Sequence, residues 1–175
     1  TRFHISGERG SDLIATTLLT DRVEIGPVDP EGKPARACLL AYAALLADRI
    51  PGIGSATAHV PDPDPEAYKF RAPLGAFLLA ISDGQTLGCV SVKTVAPGVG
   101  EVKRLWIAPS ARGLGLSRTL MTAIEDQARA LGLTRLRLDT NEHLPEAIAL
   151  YRATGWDEIA PFTDFPATHW FGKPL

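Results

Sequence analysis

The sequence predicts a mixed α/β (α+β) domain in which a twisted, mostly antiparallel sheet is flanked by helices. Two turn signals, Asp83-Gly84 and Pro97-Gly98, separate three consecutive apolar segments, a pattern typical of an antiparallel meander. In the second half of the chain, helical periodicity alternates twice with short strand patterns. A helix between two strands is typical of a crossover within one sheet.

The N-terminal part of the chain contains one clear helix. Residues 1–20 are weakly patterned, and we expect an appendage or a linker there, followed by a single domain over residues 21–175. Residues 23–28 have the character of a short strand, and Pro34 suits the first turn of a helix. Residues 51–73 are rich in Pro and Asp, and long irregular segments of this kind often form binding loops. The apolar stripe of the helix consists of Leu39, Tyr42, Leu46 and Ile50.

The middle of the chain supplies most of the predicted sheet. Continuous apolarity over residues 76–81 indicates a buried strand. Residues 87–95 and 99–107 follow as its antiparallel neighbours. A helix comes next, and Gly132 suits the position after its last turn. The helical stripe consists of Leu116, Leu120, Ile124, Ala128 and Leu131.

The C-terminal part adds a strand, a helix and a pair of closing strands. Residues 135–140 alternate in polarity as a half-buried strand does. Residues 145–154 are predicted to form a second helix, which Gly155 ends. Residues 156–159 and 168–173 are expected to close the sheet.

Length, charge and cysteine content narrow the class of protein. A chain of 175 residues can bury a core without disulfides. A net charge of −2 provides no global attraction to nucleic acid or membranes, and the longest apolar run, residues 38–47, is too short to span a bilayer. Cys38 and Cys89 make no disulfide framework, and no His, Cys or Asp cluster has metal-binding spacing. We therefore expect a cytoplasmic protein without a metal or a signal peptide, and a homodimer stays open.

A glycine-containing loop, residues 112–117, is the strongest local signal. It lies between the strand that ends at Ile107 and the helix that begins near Leu116. A helix N-terminus leaves backbone N–H groups without partners, and glycines let a phosphate approach them closely. The alternative is a tight turn that needs Gly113 and Gly115 only for their φ angles. The spacing fits neither the Rossmann nor the P-loop pattern.

Two motifs in the right order carry a family resemblance. Residues 101–109 (Glu-Val-Lys-Arg-Leu-Trp-Ile-Ala-Pro) lead into the glycine loop, and residues 138–141 (Leu-Asp-Thr-Asn) lead into residues 147–156. Together they resemble the acetyl-CoA signature and the C-terminal motif of the GNAT superfamily, over about residues 22–175. One departure is Ser110, where many members have Gln or Arg.

The resemblance implies a GNAT-like fold and the transfer of an acetyl group from acetyl-CoA to a primary amine, on a small molecule or a peptide, by direct transfer in a ternary complex. The last eight residues, 168–175, are similar to a bacterial subgroup that is sometimes fused to regulators of the MarR type. By this resemblance, the glycine loop binds the pyrophosphate and the strand before it binds the pantetheine. The implied cofactor-binding residues are Leu105, Trp106, Ile107, Arg112, Gly113, Leu114, Gly115, Leu116, Ser117, Asn141 and Tyr151.

The resemblance also suggests two catalytic residues. Glu101 is the leading candidate for the base that removes a proton from the amine, and its alternative is a surface strand residue paired with Lys103 or Lys93. Tyr151 is the candidate acid for the leaving thiolate, and its alternative is a core tyrosine. Asn141 either bonds the pantetheine amides or serves a turn.

Two other functions stay open at this point. One is a non-catalytic module that senses acyl-CoA and derives from a regulator fusion. The other is a nucleotide or phosphate binder that uses the same glycine loop. We expect no direct binding of nucleic acid by this domain, whereas Lys103 and Arg104 face either an acidic substrate or solvent.

Overall fold

The computed structural model describes residues 22–175. The appendage predicted at residues 1–20 lies outside the described residues. The strands are β1 (Glu24–Pro27), β2 (Gly75–Ser82), β3 (Gln85–Ala96), β4 (Val99–Ile107), β5 (Arg135–Thr140), β6 (Asp157–Glu158) and β7 (His169–Pro174). The helices are α1 (Lys33–Arg49), α2 (Leu116–Ala130) and α3 (Pro145–Ala153).

The seven strands of the described residues form one sheet in the order β1-β2-β3-β4-β5-β7-β6. Neighbouring strands are antiparallel except β4 and β5, which run parallel. The helix α2 connects this parallel pair, as a crossover requires. The predicted fold class, a mostly antiparallel sheet flanked by helices, is therefore confirmed.

The strand β2 explains why its sequence is continuously apolar. Alternate side chains of a strand point to opposite faces of the sheet, and both faces are covered here. Leu78 and Ala80 join a core cluster that includes Leu120 of α2, whereas Phe77 joins a second cluster that includes Leu39 of α1. A strand that is buried on both faces has no position for a polar side chain.

The helix α2 has the apolar face that the sequence predicts. Leu116, Leu120, Ile124 and Ala128 are all buried against the sheet. Burying one leucine or isoleucine side chain stabilises the fold by roughly 1.5–3 kcal/mol. Gly132, with φ of 82°, follows the last turn in the left-handed conformation that favours glycine.

The first closing strand is shorter than the sequence predicts. Residues 156–159 were expected to pair throughout, yet β6 contains only two residues. The N–H of Ile159 still donates to the carbonyl of Trp170 at 2.9 Å. Pro161 follows, and because proline has no N–H, the ladder cannot continue along the chain there.

Candidate active site

The parallel pair at the centre of the sheet opens into a V. β4 and β5 are paired only where residues 99–101 face residues 135–137. Beyond this point β4 continues to Ile107 and β5 to Thr140 without pairing to each other. The facing edges of both strands therefore present backbone N–H and C=O groups to whatever occupies the opening.

A β-bulge interrupts the regular pairing of β4 with β3 at the start of this opening. Between two consecutive paired positions, β4 advances from Lys103 to Trp106 while β3 advances by one residue fewer. Arg104, within this step, has φ of 62°, a conformation that costs a non-glycine residue roughly 1–3 kcal/mol. The Ser91 hydroxyl donates to the carbonyl of Lys103 at 2.9 Å, and the Cys89 thiol donates to that of Arg104 at 3.2 Å. These two bonds from β3 hold the bulge in place.

A cleft of about 1030 Å³ fills the V. Its walls come from α1, from β4 beyond Glu101, from the loop and first turn of α2, from the end of β5, from α3 and from residues 163–167. Arg49 of α1 forms an ion pair with Glu146 of α3 across one side. The ion pair therefore connects the two helices across one side of the cleft.

The glycine loop leaves backbone donors free at one end of the cleft. Gly113 and Gly115 have φ of 76° and 78°, and a Cβ at either position would meet nothing within 4 Å. The glycines are thus required by backbone conformation, and the space beside them is open. Within residues 22–175, the N–H groups of residues 113–118 have no backbone or side-chain acceptor. Free N–H groups at the positive end of a helix fit a pyrophosphate.

Tyr151 lies on α3 and faces the cleft from the opposite wall. Its ring packs against Trp156 and Phe171, with centroid separations of 5.9 Å and 5.5 Å. Burial raises the pKa of the phenol, and the charges of Tyr42 and Asp139 raise it further. The hydroxyl therefore stays protonated at neutral pH and remains a hydrogen-bond donor. The described residues provide no acceptor for it, which leaves it available to a ligand.

Glu101 is not brought to the cleft. Its side chain is only 7% exposed and lies where β4 and β5 separate. Lys103 and Arg137 each approach its carboxylate at 3.0 Å. Burial raises the pKa of Glu101, but the charges and hydrogen bonds of the two cations outweigh burial and lower it overall. The contact with Lys103 agrees with the alternative interpretation, but Glu101 is buried rather than at the surface and also pairs with Arg137 of β5 at the apex of the V.

Asn141 lines the cleft, but its side chain is occupied. Its Nδ2 donates to the carbonyl of Pro166 at 2.6 Å, and its Oδ1 accepts from the N–H of His143 at 2.8 Å. The side chain thus joins the end of β5 to the loop before β7. This arrangement favours the turn interpretation.

Most of the cofactor-binding residues expected from the sequence meet in the cleft. Ten of them line it, and Leu114 does not. The ten are Leu105, Trp106, Ile107, Arg112, Gly113, Gly115, Leu116, Ser117, Asn141 and Tyr151.

Sequence reasoning missed two side chains in the cleft. Tyr42 was predicted only as part of a helical stripe, yet it lines the cleft, where burial, with Asp139 and Cys89, raises its pKa to about 12. Asp139 lies on the part of β5 that is not paired with β4 and accepts a hydrogen bond from Thr163 at 2.7 Å. Its sequence signal was its position at a strand end inside the C-terminal motif.

Residues 22–175 contain neither a cluster of metal ligands nor a helix that could span a membrane. In this range no three His, Cys, Asp or Glu side chains are grouped as metal ligands. None of the helices described has both the length and the apolarity to cross a bilayer.

Comparisons with known proteins agree with this geometry. An IAA acetyltransferase of Azospirillum brasilense is 40% identical over 104 residues, which are 57% of this chain and 67% of that protein. A Klebsiella pneumoniae protein whose crystal structure is named for acyl-CoA N-acyltransferase activity superposes with a TM-score of 0.68, at 27% identity over 87% of this chain and 97% of that one. The PaiA N-acetyltransferase of Thermoplasma acidophilum, crystallised with coenzyme A, has the same fold at 18% identity, with a TM-score of 0.68 over 87% of this chain and 99% of that one.

The family assignment rests on a longer match. The model of the acetyltransferase (GNAT) family matches residues 45–156. This range contains the glycine loop, the V between β4 and β5, and Tyr151, and it covers more than half of the chain. The chain therefore belongs to the GNAT family of acetyltransferases.

Proposed function

We propose that this acetyltransferase moves an acetyl group from acetyl-CoA to an amine by direct attack in a ternary complex. One observation carries the proposal. A single cleft joins the free N–H groups at the start of α2, the unpaired edge of β4 and the hydroxyl of Tyr151. Acetyl transfer requires one group of each kind. The N–H groups anchor the donor, the edge of β4 stabilises an oxyanion, and the hydroxyl protonates a thiolate.

The donor site is made mainly of backbone. The free N–H groups of residues 113–118 bind the pyrophosphate, and each charge-assisted hydrogen bond of this kind contributes roughly 1.5–3 kcal/mol. The unpaired edge of β4, residues 102–107, binds the pantetheine amides as an added strand would. The open space beside Gly113 and Gly115 supports this placement.

Oxyanion stabilisation falls to the bulge of β4. The thioester supplies an activated acyl group and a thiolate leaving group. Leu105 follows the bulge and has no partner in the β3–β4 register, and we assign its backbone N–H as the donor to the carbonyl oxygen. A fixed donor of this kind favours the charged intermediate because it needs no reorganisation during the reaction.

Tyr151 protonates the departing sulfur. Its raised pKa keeps the phenol protonated throughout the neutral and mildly alkaline range. The aromatic packing against Trp156 and Phe171 fixes the ring, so the hydroxyl is held in one direction. A positioned acid contributes typically 10²–10⁴ in rate.

The amine must lose a proton before or during attack. An alkyl ammonium with a pKa of about 10.4 is roughly 0.1% neutral or less at pH 7, so a proton acceptor is useful. Glu101 is separated from the cleft and held by Lys103 and Arg137. Asp139 lines the cleft, and its charge acts on the phenols of both tyrosines. We therefore assign proton removal to Asp139, directly or through water.

The acceptor enters beside α1. The segment 51–73, which the sequence predicts as a binding loop, contributes His59 to the lining, whereas residues 163–167 and the helix α1 contribute more. The acceptor pocket is thus enclosed by one helix and one loop. A small molecule or the end of a peptide fits such an enclosure.

Free-thiol release from acetyl-CoA across a panel of amines tests the proposal. We expect turnover with at least one amine class and a stoichiometric acetylated product by mass spectrometry. Binding of acetyl-CoA without release for any amine would favour the sensing module. Competition by ATP but not by CoA would favour a nucleotide site instead.

A further inference from the structure

Within residues 22–175, one arginine of the cleft wall has a head group without a hydrogen bond. Arg104 lines the cleft from the bulge of β4, and its guanidinium donates to no acceptor within residues 22–175. Its ion pair with Asp64 spans 4.0 Å between Nη2 and Oδ2, which is beyond hydrogen-bond length. A guanidinium has five N–H donors in a planar fork, and all of them lack a partner here.

The other cationic side chains of the cleft are engaged. Each Lys or Arg that lines it elsewhere in the described residues donates to a carboxylate or a carbonyl. These contacts join Arg49 to Glu146, Lys103 to Glu101 and Arg112 to the carbonyl of Ile107. Arg104 therefore differs from these neighbours in having no hydrogen-bond acceptor within residues 22–175.

The guanidinium of Arg104 is also held in place. It lies over the ring of Phe70, with Cζ 4.4 Å from the ring centroid. Its side chain is 21% exposed, and Nη1 is fully buried without a partner. Burial lowers the pKa of Arg104, and the charges of Asp64, Cys89 and Tyr42 oppose that shift. Because an arginine stays charged even so, the cleft wall contains a partly buried cation whose ion-pair partner, Asp64, is 4.0 Å away and accepts no hydrogen bond from it.

The position of Arg104 relates this charge to the reaction. It comes directly before Leu105, beside which the acyl carbonyl lies in the proposed function. It also lies near Tyr42 of α1, on the acceptor side. An anion held by Arg104 would therefore be part of the acceptor and would lie beside its amine.

We propose that Arg104 binds a carboxylate of the acceptor, so that the acceptors of this enzyme are amines that also carry a carboxylate, as amino acids do. The inference rests on the proposed function and names the substrate class of that site. A planar fork matches a carboxylate in two parallel hydrogen bonds. A phosphate dianion is a poorer match, because the charge of Asp64 already offsets part of the charge of Arg104.

Matched acceptors test the inference directly. Thiol release is measured at saturating acetyl-CoA with each of a panel of amino acids and with the corresponding amino acid amides, in which only the carboxylate is changed. For the native enzyme we expect kcat/KM to favour the acid over its amide by about tenfold or more, mostly through the KM of the acceptor. Arg104→Gln should remove this preference and leave the KM of acetyl-CoA unchanged. Arg104→Lys should keep part of it, since it retains the charge but not the fork.

A matched control uses an arginine away from the cleft. Arg129 is half-exposed on α2 and pairs with Asp126, so Arg129→Gln should keep the native preference. Equal kcat/KM for acids and amides in the native enzyme, or a preference that survives in Arg104→Gln, would overturn the inference and leave the proposed function intact.

A binding measurement separates failure of the inference about Arg104 from failure of the proposed function. If no amine gives turnover, the proposed function fails, and calorimetric titration of N-acetylated amino acids and their amides into the CoA complex still decides the role of Arg104. Tighter binding of the acids to the native protein than to Arg104→Gln supports the inference. Equal binding to both proteins overturns it.

Discussion

One end of the cleft is formed mainly by backbone groups and the other mainly by side chains. At the donor end, the N–H groups of residues 113–118 come from one continuous stretch, and side chains matter little there. At the acceptor end, side chains meet from separate elements, with Tyr42 on α1, Arg104 on β4 and Asp139 on β5. A site made of local backbone depends on a short motif, whereas a site made of distant side chains depends on the packing of the whole domain.

The two ends of the cleft should therefore respond differently to substitution. A pyrophosphate needs only N–H donors in a fixed turn, which any sequence with the right glycines supplies. An acceptor needs charges and shapes that differ between substrates. Substitutions at the donor end should therefore affect binding of acetyl-CoA for every acceptor, and substitutions at the acceptor end should affect particular steps.

The largest effect is expected from Gly115→Glu. The substitution places a negative charge beside the pyrophosphate and strains a residue at φ of 78°, so the Kd for acetyl-CoA should rise by about 100-fold or more, through loss of two or three charged hydrogen bonds. Isothermal titration measures this. Gly84→Glu is the control, because Gly84 has φ of 74° and open space in a hairpin away from the cleft. If both variants bind acetyl-CoA equally well, the loop assignment is wrong.

Tyr151→Phe should come next in size. Removing the acid should lower kcat by roughly 10–100-fold, toward the lower end of general-acid effects, while the Kd for acetyl-CoA changes little. The hydroxyl has no partner within residues 22–175, so the melting temperature should stay the same. Tyr68→Phe, at a side chain that is 55% exposed, serves as the control in steady-state kinetics. An unchanged kcat would remove Tyr151 from the mechanism.

A pair of carboxylate variants sharpens the comparison between the cleft and its apex. Asp139→Asn should lower kcat about tenfold at neutral pH by removing the proton acceptor, although Asn can still accept from Thr163. Glu101→Gln should keep kcat near the native value and reduce stability instead. The opposite result, with kcat lost in Glu101→Gln and kept in Asp139→Asn, would restore Glu101 as the base.

The stability effect of Glu101→Gln should depend on pH. The pKa of Glu101 is lowered in the folded protein, so its carboxylate stabilises the fold above the ordinary glutamate pKa. That contribution disappears as pH falls through the lowered folded value. Denaturant unfolding at several pH values should therefore show a loss of roughly 1–3 kcal/mol near pH 7, shrinking toward zero in acid. A difference that is independent of pH would contradict the ion-pair role.

The smallest effect is expected where β3 supports the bulge. Ser91→Ala removes one hydrogen bond to the Lys103 carbonyl, which should cost about 1 kcal/mol and lower Tm by roughly 2–4 °C in a domain of this size. Thr122→Ala, which removes a similar bond on the exposed face of α2, is the control. We expect kcat/KM to fall in Ser91→Ala and to stay unchanged in Thr122→Ala, because Ser91 contacts the bulge that positions the oxyanion donor and Thr122 does not. Equal kinetics in both variants would mean that the bulge holds without Ser91.

Much of the fold followed from local patterns. The turns Asp83-Gly84 and Pro97-Gly98 and the stripe of α2 depend on neighbouring residues, so the meander and its following helix could be predicted closely. The two-residue β6 could not, because strand pairing depends on a partner that is distant in the sequence. Glu101 shows the same limit at the site. From the sequence, Glu101 is a candidate base because of its place in the family motif. Only the structure shows that Lys103 and Arg137 form ion pairs with it.

By itself, the sequence determined the element order, the glycine loop and the tyrosine motif, since each is specified by residues within one or two turns of chain. Only the tertiary structure decided how β4 and β5 separate, where the bulge leaves Arg104, and which carboxylate reaches the cleft. The physical reason is the distance along the sequence over which each property is determined. Backbone conformation responds to adjacent residues, whereas burial, charge pairing and pKa depend on side chains that packing brings together from distant parts of the chain.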